Sequence, residues 1–116
     1  MDTAPYQVRL AQELDTLGEE SREASEARAP VELDQQSVGR LSRMDALQVQ
    51  AMAQETERRR QTRMAALRAA LKRIDDGTFG ACLACGEDIA PKRLELDPAS
   101  ATCIDCAGGG SGRRGA

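Results

Sequence analysis

Two CxxC pairs, Cys82-Leu83-Ala84-Cys85 and Cys103-Ile104-Asp105-Cys106, hold all four cysteines of this 116-residue chain and constrain its fold more than any other feature. A spacer of about 17 residues between them matches the four-cysteine zinc pattern, in which each pair gives two thiolates to one tetrahedral ion. Gly86 follows the first pair and tolerates the left-handed backbone that turns amides toward sulfur. Ala107 follows the second pair, so that turn is expected to be less ideal. With Cys82, Cys85, Cys103 and Cys106 as ligands, no position is open for a catalytic water. The expected ion is one structural Zn2+, and no enzymatic activity is expected.

Two other uses of the cysteines compete with zinc. Structural disulfides belong to oxidising compartments, whereas the Met1-Asp2-Thr3 start lacks the basic and apolar regions of a signal peptide, and a cytoplasmic location is expected. A thioredoxin-like redox pair needs a βαβ setting, and the residues before Cys82 read as helical.

Tyr6 and Phe79 are the only aromatic residues. A chain with so little bulk cannot fill a broad core, and a bound metal is one way to staple a small one. Its Ala, Glu, Arg, Leu and Gln instead favour long helices packed along a seam. The net charge of -3 and pI near 5.0 give no global attraction to nucleic acid, and direct sequence-specific DNA binding is not expected. No run approaches the roughly 18 apolar residues of a membrane span.

A first helix is expected from about residue 5 to 28. Leu10, Leu14 and Leu17 form its stripe, continued by Ser21 and Ala24, and its exposed face is acidic. Gly18 weakens it by roughly 1 kcal/mol relative to alanine, and Pro30 ends it. A connection over about 30–42 follows. Ser42 and Asp45 then suit an N-cap and its third-position partner, opening a second helix over about 43–76. Met64, Leu67, Leu71 and Ile74 follow a 3,4 spacing, with Met44, Leu47 and Ala51 as the expected seam nearer its start. Arg58, Arg59, Arg60, Arg63, Arg68, Lys72 and Arg73 make this second helix basic. An acidic helix, a short connection and a basic helix suit an antiparallel hairpin. Two independent solvated helices or a dimer seam are the alternatives, and a monomer is expected.

The expected fold is therefore mainly α. An antiparallel coiled-coil hairpin over 1–76 is followed by a small four-cysteine zinc-finger lobe over 77–107 and a flexible, disordered tail over 108–116. Gly77 suits a C-terminal cap, Phe79 is placed beside the metal turn, and Ile89, Pro91, Leu94 and Leu96 are expected to cluster around it. Lys92 and Arg93 are candidates to offset the net charge of a tetrathiolate zinc.

Phe79-Gly80-Ala81-Cys82-Leu83-Ala84-Cys85-Gly86, Pro91-Lys92-Arg93-Leu94-Glu95 and Cys103-Ile104-Asp105-Cys106 together resemble the DksA/TraR family of four-cysteine zinc-finger transcription regulators. The resemblance is dense from about Leu67 to Cys106 and looser over the hairpin. It implies a bacterial protein that binds RNA polymerase directly. Its hairpin tip would enter the secondary channel, where acidic residues act near the catalytic centre. The family's tip pattern, D-x-x-D-x-A, meets Asp34-Gln35-Gln36-Ser37-Val38-Gly39 here, with serine and glycine at its second and third places. Asp45-Ala46 is a second candidate. The resemblance makes Asp34, Ser37, Arg40 and Asp45 candidate partner contacts. It makes Arg58, Arg59 and Arg63 candidates for polymerase or for the alarmone ppGpp, although Ala65-Ala66 stands where a family lysine is sought. A solvated face pairing with the acidic first helix is the other reading of those arginines.

Two further functions fit the residues. A zinc-ribbon adaptor could bind protein or nucleic acid through Arg58 to Arg60 and the Arg113-Arg114 tail. A thiol switch could release zinc on oxidation and free the hairpin.

Overall fold

The computed structural model describes residues 1–29 and 40–108. Among the described residues the helices are, in order, α1 (Ala4–Glu23), α2 (Ser25–Arg28), α3 (Arg40–Asp76), α4 (Pro91–Leu96) and α5 (Ile104–Ala107). The fold is mainly helical, with α1 and α3 packed antiparallel, and it divides into two compact units. One comprises Met1–Leu14 and Ala65–Ala116, the other Asp15–Met64. No helix among the described residues is long and apolar enough to cross a membrane.

In the unit of Asp15–Met64, three contacts set the antiparallel direction. Gly18 lies against Met64, Ser21 Oγ donates to Glu57 Oε2 at 2.6 Å, and Gln50 Nε2 donates to the Ala29 carbonyl at 2.6 Å. Gly18 does not interrupt α1; the break comes at Ala24, after which α2 makes one more turn. Ala29 is extended (φ -63, ψ 154), the conformation forced on a residue that precedes a proline.

The start of α3 differs from expectation. Arg40 and Leu41 rank above serine as helix formers, and the helix begins at Arg40, so Ser42 and Asp45 lie inside it rather than at its cap. The seam also runs one residue out of step with the expected one. Counting back from Met64 in steps of 4 and 3 gives Arg60, Glu57, Ala53, Gln50 and Ala46, all at least partly buried. Met44, Leu47 and Ala51 are exposed instead. The heptad repeat set by the C-terminal half of α3 outweighs the bulk of individual side chains nearer its start.

In the other unit, Leu10, Leu67 and Ala70 are fully buried. Arg73, one of the residues that make this helix basic, continues the i, i+3 row from Leu67 and Ala70 and is buried too. Burial lowers its pKa, while its place in the last turn of α3 suits the negative end of the helix. Gly77 closes α3 with φ 81. Its N–H donates to Ile74 O at 3.2 Å and that of Thr78 to Arg73 O at 2.9 Å, the two bonds of a Schellman motif.

Candidate metal centre

The chain between α3 and α4 turns back on itself through one antiparallel bridge, Ala81 to Asp88. The Cys82 N–H donates to Glu87 O at 2.8 Å and the Gly86 N–H to Cys82 O at 2.9 Å, closing a tight loop around the first CxxC. Gly86 takes φ 81, a conformation that few other residues adopt without strain. The second pair is built differently. Cys103 precedes α5, Cys106 lies within it, and the Ala107 N–H donates to Cys103 O at 2.9 Å. A helical turn needs no positive φ, which is why alanine serves after the second pair and glycine after the first. Leu83 N–H joins the two halves by donating to Ala101 O at 2.9 Å.

These turns bring Sγ of Cys82, Cys85, Cys103 and Cys106 within 4.8 Å of one another. Cys85 Sγ lies 3.8 Å from Cys103 Sγ, which lies 3.5 Å from Cys106 Sγ. None of the four is joined in a disulfide, so the disulfide alternative does not describe this structure. Four thiolates held about 2.3 Å from a tetrahedral ion stand about 3.8 Å apart, and the cluster suits one Zn2+. Burial opposes ionisation of Cys82, but amides of Cys103, Cys85 and Ala84 directed at its sulfur bring its pKa down to about 6. At Cys85 the amide of Glu87 favours the thiolate. Burial and the sulfurs of Cys82 and Cys103 outweigh it and push that pKa up. A cation among the four sulfurs would relieve this mutual repulsion.

An apolar cluster supports the sulfurs from one side. Cys82, Ile89 and Leu94 are buried, with Tyr6, Phe79 and the other three cysteines packed against them. Phe79 sits where expected, and its ring centroid is 5.3 Å from that of Tyr6. Tyr6 was not anticipated as a support, although its place one turn before Leu10 on the α1 stripe could have signalled it. Pro91 and Leu96 are exposed rather than clustered. Proline occupies the first turn of α4, and Leu96, two residues after Leu94, points to the opposite side of the helix. Arg93 Nε donates to Thr102 O at 2.8 Å, fixing the backbone just before Cys103, while Lys92 stays exposed. Arg9 Nη1 donates to Glu95 O at 2.8 Å and ties α1 to α4.

Residues 77–109 match the prokaryotic dksA/traR C4-type zinc finger. This segment is a zinc finger of the DksA/TraR family. Over 43 residues the chain is 46% identical to the RNA polymerase-binding transcription factor DksA of Haemophilus influenzae, covering 37% of this chain and 30% of that protein. Over 36 residues it is 47% identical to the Escherichia coli K12 protein of the same name, covering 31% of this chain and 24% of that protein. The matched stretch thus spans less than a third of either relative. Transcription factor DksA2 from Pseudomonas aeruginosa shares the fold, with a TM-score of 0.59 at 20% identity over 97% of this chain and 79% of that one.

The other candidate residues that are described all lie on α3. Asp34 and Ser37 lie outside the described residues, Arg40 opens α3, and Asp45 is exposed on it. Arg58 and Arg59 are exposed and pair with Glu55 on their own helix, Arg59 Nε at 3.4 Å, while Arg63 is half-buried. Arg60 alone of the Arg58 to Arg60 run reaches the acidic α1, with Nε 3.8 Å from Glu20. A polar cluster on the seam escaped the sequence reading. Glu57 accepts from Ser21, from Arg28 Nη1 at 3.1 Å, from Arg60 Nη1 at 2.5 Å and from Gln61 at 2.6 Å. The hydroxyl of Ser21 and the amide of Gln61 lead in lowering its pKa to about 2. Arg28 is only 22% exposed at its side chain.

Proposed function

We propose that this chain binds RNA polymerase and regulates transcription initiation, with its helical hairpin inserted into the secondary channel and its zinc finger as a structural base. The observation that carries the reading is the pairing of a DksA/TraR-type finger with an antiparallel two-helix fold like that of DksA2. Curated proteins similar to this chain over 36 to 43 residues are named RNA polymerase-binding transcription factors. A four-sulfur centre keeps no coordination position for substrate, which fits a regulator that catalyses nothing itself. A cytoplasmic location follows from the same reading.

Within it, Cys82, Cys85, Cys103 and Cys106 hold the ion, and Asp34, Ser37, Arg40 and Asp45 are assigned to polymerase contacts at the turn of the hairpin. Arg58, Arg59 and Arg63 are assigned to polymerase or to an anionic ligand such as ppGpp. The exposure of Arg58 and Arg59 supports this, since surface pairs with Glu55 are weak enough to exchange. The test is retention of core RNA polymerase by the zinc-loaded chain, followed by transcription in vitro from a ribosomal promoter. Complex formation at micromolar concentration and a changed transcript yield are expected. Absence of binding at that concentration overturns the reading.

A further inference from the structure

The two halves of the sulfur cluster are anchored to the finger by different means. Cys82 is 3% exposed and packs in one apolar cluster with Ile89 and Leu94. Backbone bonds between Cys82 and Glu87 and between Gly86 and Cys82 close the loop around it. Burial and backbone pairing thus share in placing the first pair.

The second pair has no such burial behind it. No residue of α5 is buried, and Ile104, next to Cys103, is 71% exposed. The backbone leading into this turn is held through two carbonyls, Ala101 O by the Leu83 N–H at 2.9 Å and Thr102 O by Arg93 Nε at 2.8 Å. The second of these bonds comes from a side chain, and it ends one residue before a ligand. Arg93 is well fixed for the purpose. Its neighbour Leu94 is wholly buried in the cluster with Cys82, and α4 is closed by bonds from Arg93 N–H to Ala90 O and from Asp97 N–H to Arg93 O, each at 2.9 Å.

A cation beside four thiolates can act in two ways. It can offset their charge, for which the exposed Lys92 is equally suited, or it can hold a ligand in place through a hydrogen bond. A counter-charge needs no fixed partner, whereas Arg93 Nε is committed to a backbone carbonyl. We infer that Arg93 is a positioning residue of the metal centre, which sets the turn of Cys103 and Cys106 for the ion by holding the carbonyl of Thr102. The less buried second pair is then the half at which the site opens.

Two substitutions separate position from charge. Glutamine carries an N–H at the same place along its side chain as arginine Nε but has no charge, while lysine keeps the charge and has a methylene there. Zinc retention by the full chain is measured in competition with a chromogenic chelator for the wild type, Arg93→Gln, Arg93→Lys and Arg93→Met, with Lys92→Met as control. Arg93→Gln should hold zinc within about threefold of the wild type, and Arg93→Lys and Arg93→Met about 10–100-fold more weakly, the usual cost of losing an outer hydrogen bond that orients a ligand. Lys92→Met should change retention by less than about twofold. Amide exchange in the zinc-loaded chains gives a second, local readout. Arg93→Lys should speed exchange at Ala107 and Gly108, which donate to Cys103 O and Ile104 O, and leave Gly86, which donates to Cys82 O, unchanged. Zinc held by Arg93→Lys as well as by Arg93→Gln, or better, overturns the inference in favour of a counter-charge. Unchanged retention in Arg93→Met overturns it too. Equal loss of protection at Gly86 and Ala107 also overturns it, because Arg93 would then support the finger as a whole. All readouts use the chain alone and stand apart from polymerase binding.

Discussion

The unit built on the cysteines and the two-helix unit of Asp15–Met64 solve the problem of a small chain in opposite ways. In the first, Leu10, Leu67, Ile89 and Leu94 are almost wholly removed from water, and four sulfurs converge beside Ile89 and Leu94. In the second, Met64 is the only buried large apolar side chain among the described residues. Its seam carries alanine, glutamine, serine and an ionic cluster instead. Apolar contacts and a metal supply stability but fix little about axial register. A partly buried charged cluster contributes less net stability, yet it has one satisfactory arrangement, and any slip of α1 against α3 would break it. The comparison suggests a base selected for stability and an arm selected for alignment.

Removing the metal should have the largest effect, and only on the base. Structural zinc contributes on the order of 10–16 kcal/mol of apparent binding energy in isolated fingers. Chelation, or Cys103→Ser, should abolish hydrogen-exchange protection at the amides of Cys82, Leu83, Gly86 and Ile89, each of which donates a backbone bond in the folded loop. Unchanged protection after zinc loss would show that the apolar cluster alone holds the finger. Next in size is Leu94→Ala, which empties a wholly buried site and should cost roughly 2–5 kcal/mol in chemical denaturation. Leu17→Ala, at a half-buried seam position, should cost less than about 2 kcal/mol. Equal losses at the two sites would erase the contrast between base and arm.

A smaller change separates the two CxxC turns. Gly86→Ala forces a β-carbon into φ 81 and should destabilise the finger by about 1–2 kcal/mol, although there is open space around the position. Ala107→Gly should cost no more than about 1 kcal/mol, because its turn is already helical. Thermal melts of the zinc-loaded variants would rank them, and the reverse order would mean that the second turn is the strained one.

What was legible in the sequence follows the same division. The cysteine spacing, the Gly77 cap and the 3,4 rhythm of Met64, Leu67, Leu71 and Ile74 each express a strong local rule, and the metal cluster and the α3 stripe follow from them. The rest depended on long-range register. Met44, Leu47 and Ala51 look like a seam because apolar residues are normally inside, yet the repeat propagating back from Met64 places Ala46, Gln50 and Ala53 there. Arg28 and Glu57 were hard to place for the complementary reason. Charged residues read as solvated until a partner elsewhere in the chain accounts for them, and theirs lie 29 residues apart. The side chains of Asp34 and Ser37 lie outside the described residues and stay assigned by family pattern alone.

The ionic cluster offers the subtlest test of the arm. The pKa of Glu57 is lowered from 4.5 to about 2, chiefly by hydrogen bonds from Ser21 and Gln61 and with help from Arg60 and Arg28. A carboxyl depressed in the folded state binds its proton more readily when unfolded. Its contribution is therefore complete above about pH 4.5 and fades as the pH falls toward 2. Glu57→Gln keeps the shape and removes the charge. The urea midpoints of wild type and variant should differ at pH 6, converge between pH 4.5 and 2, and coincide at the acid end, with a gap at pH 6 smaller than any of the losses above. A gap that persists unchanged at pH 2 would mean that Glu57 acts by shape and hydrogen bonding rather than by charge. The arm would then be aligned by packing after all, and its contrast with the base would be one of degree.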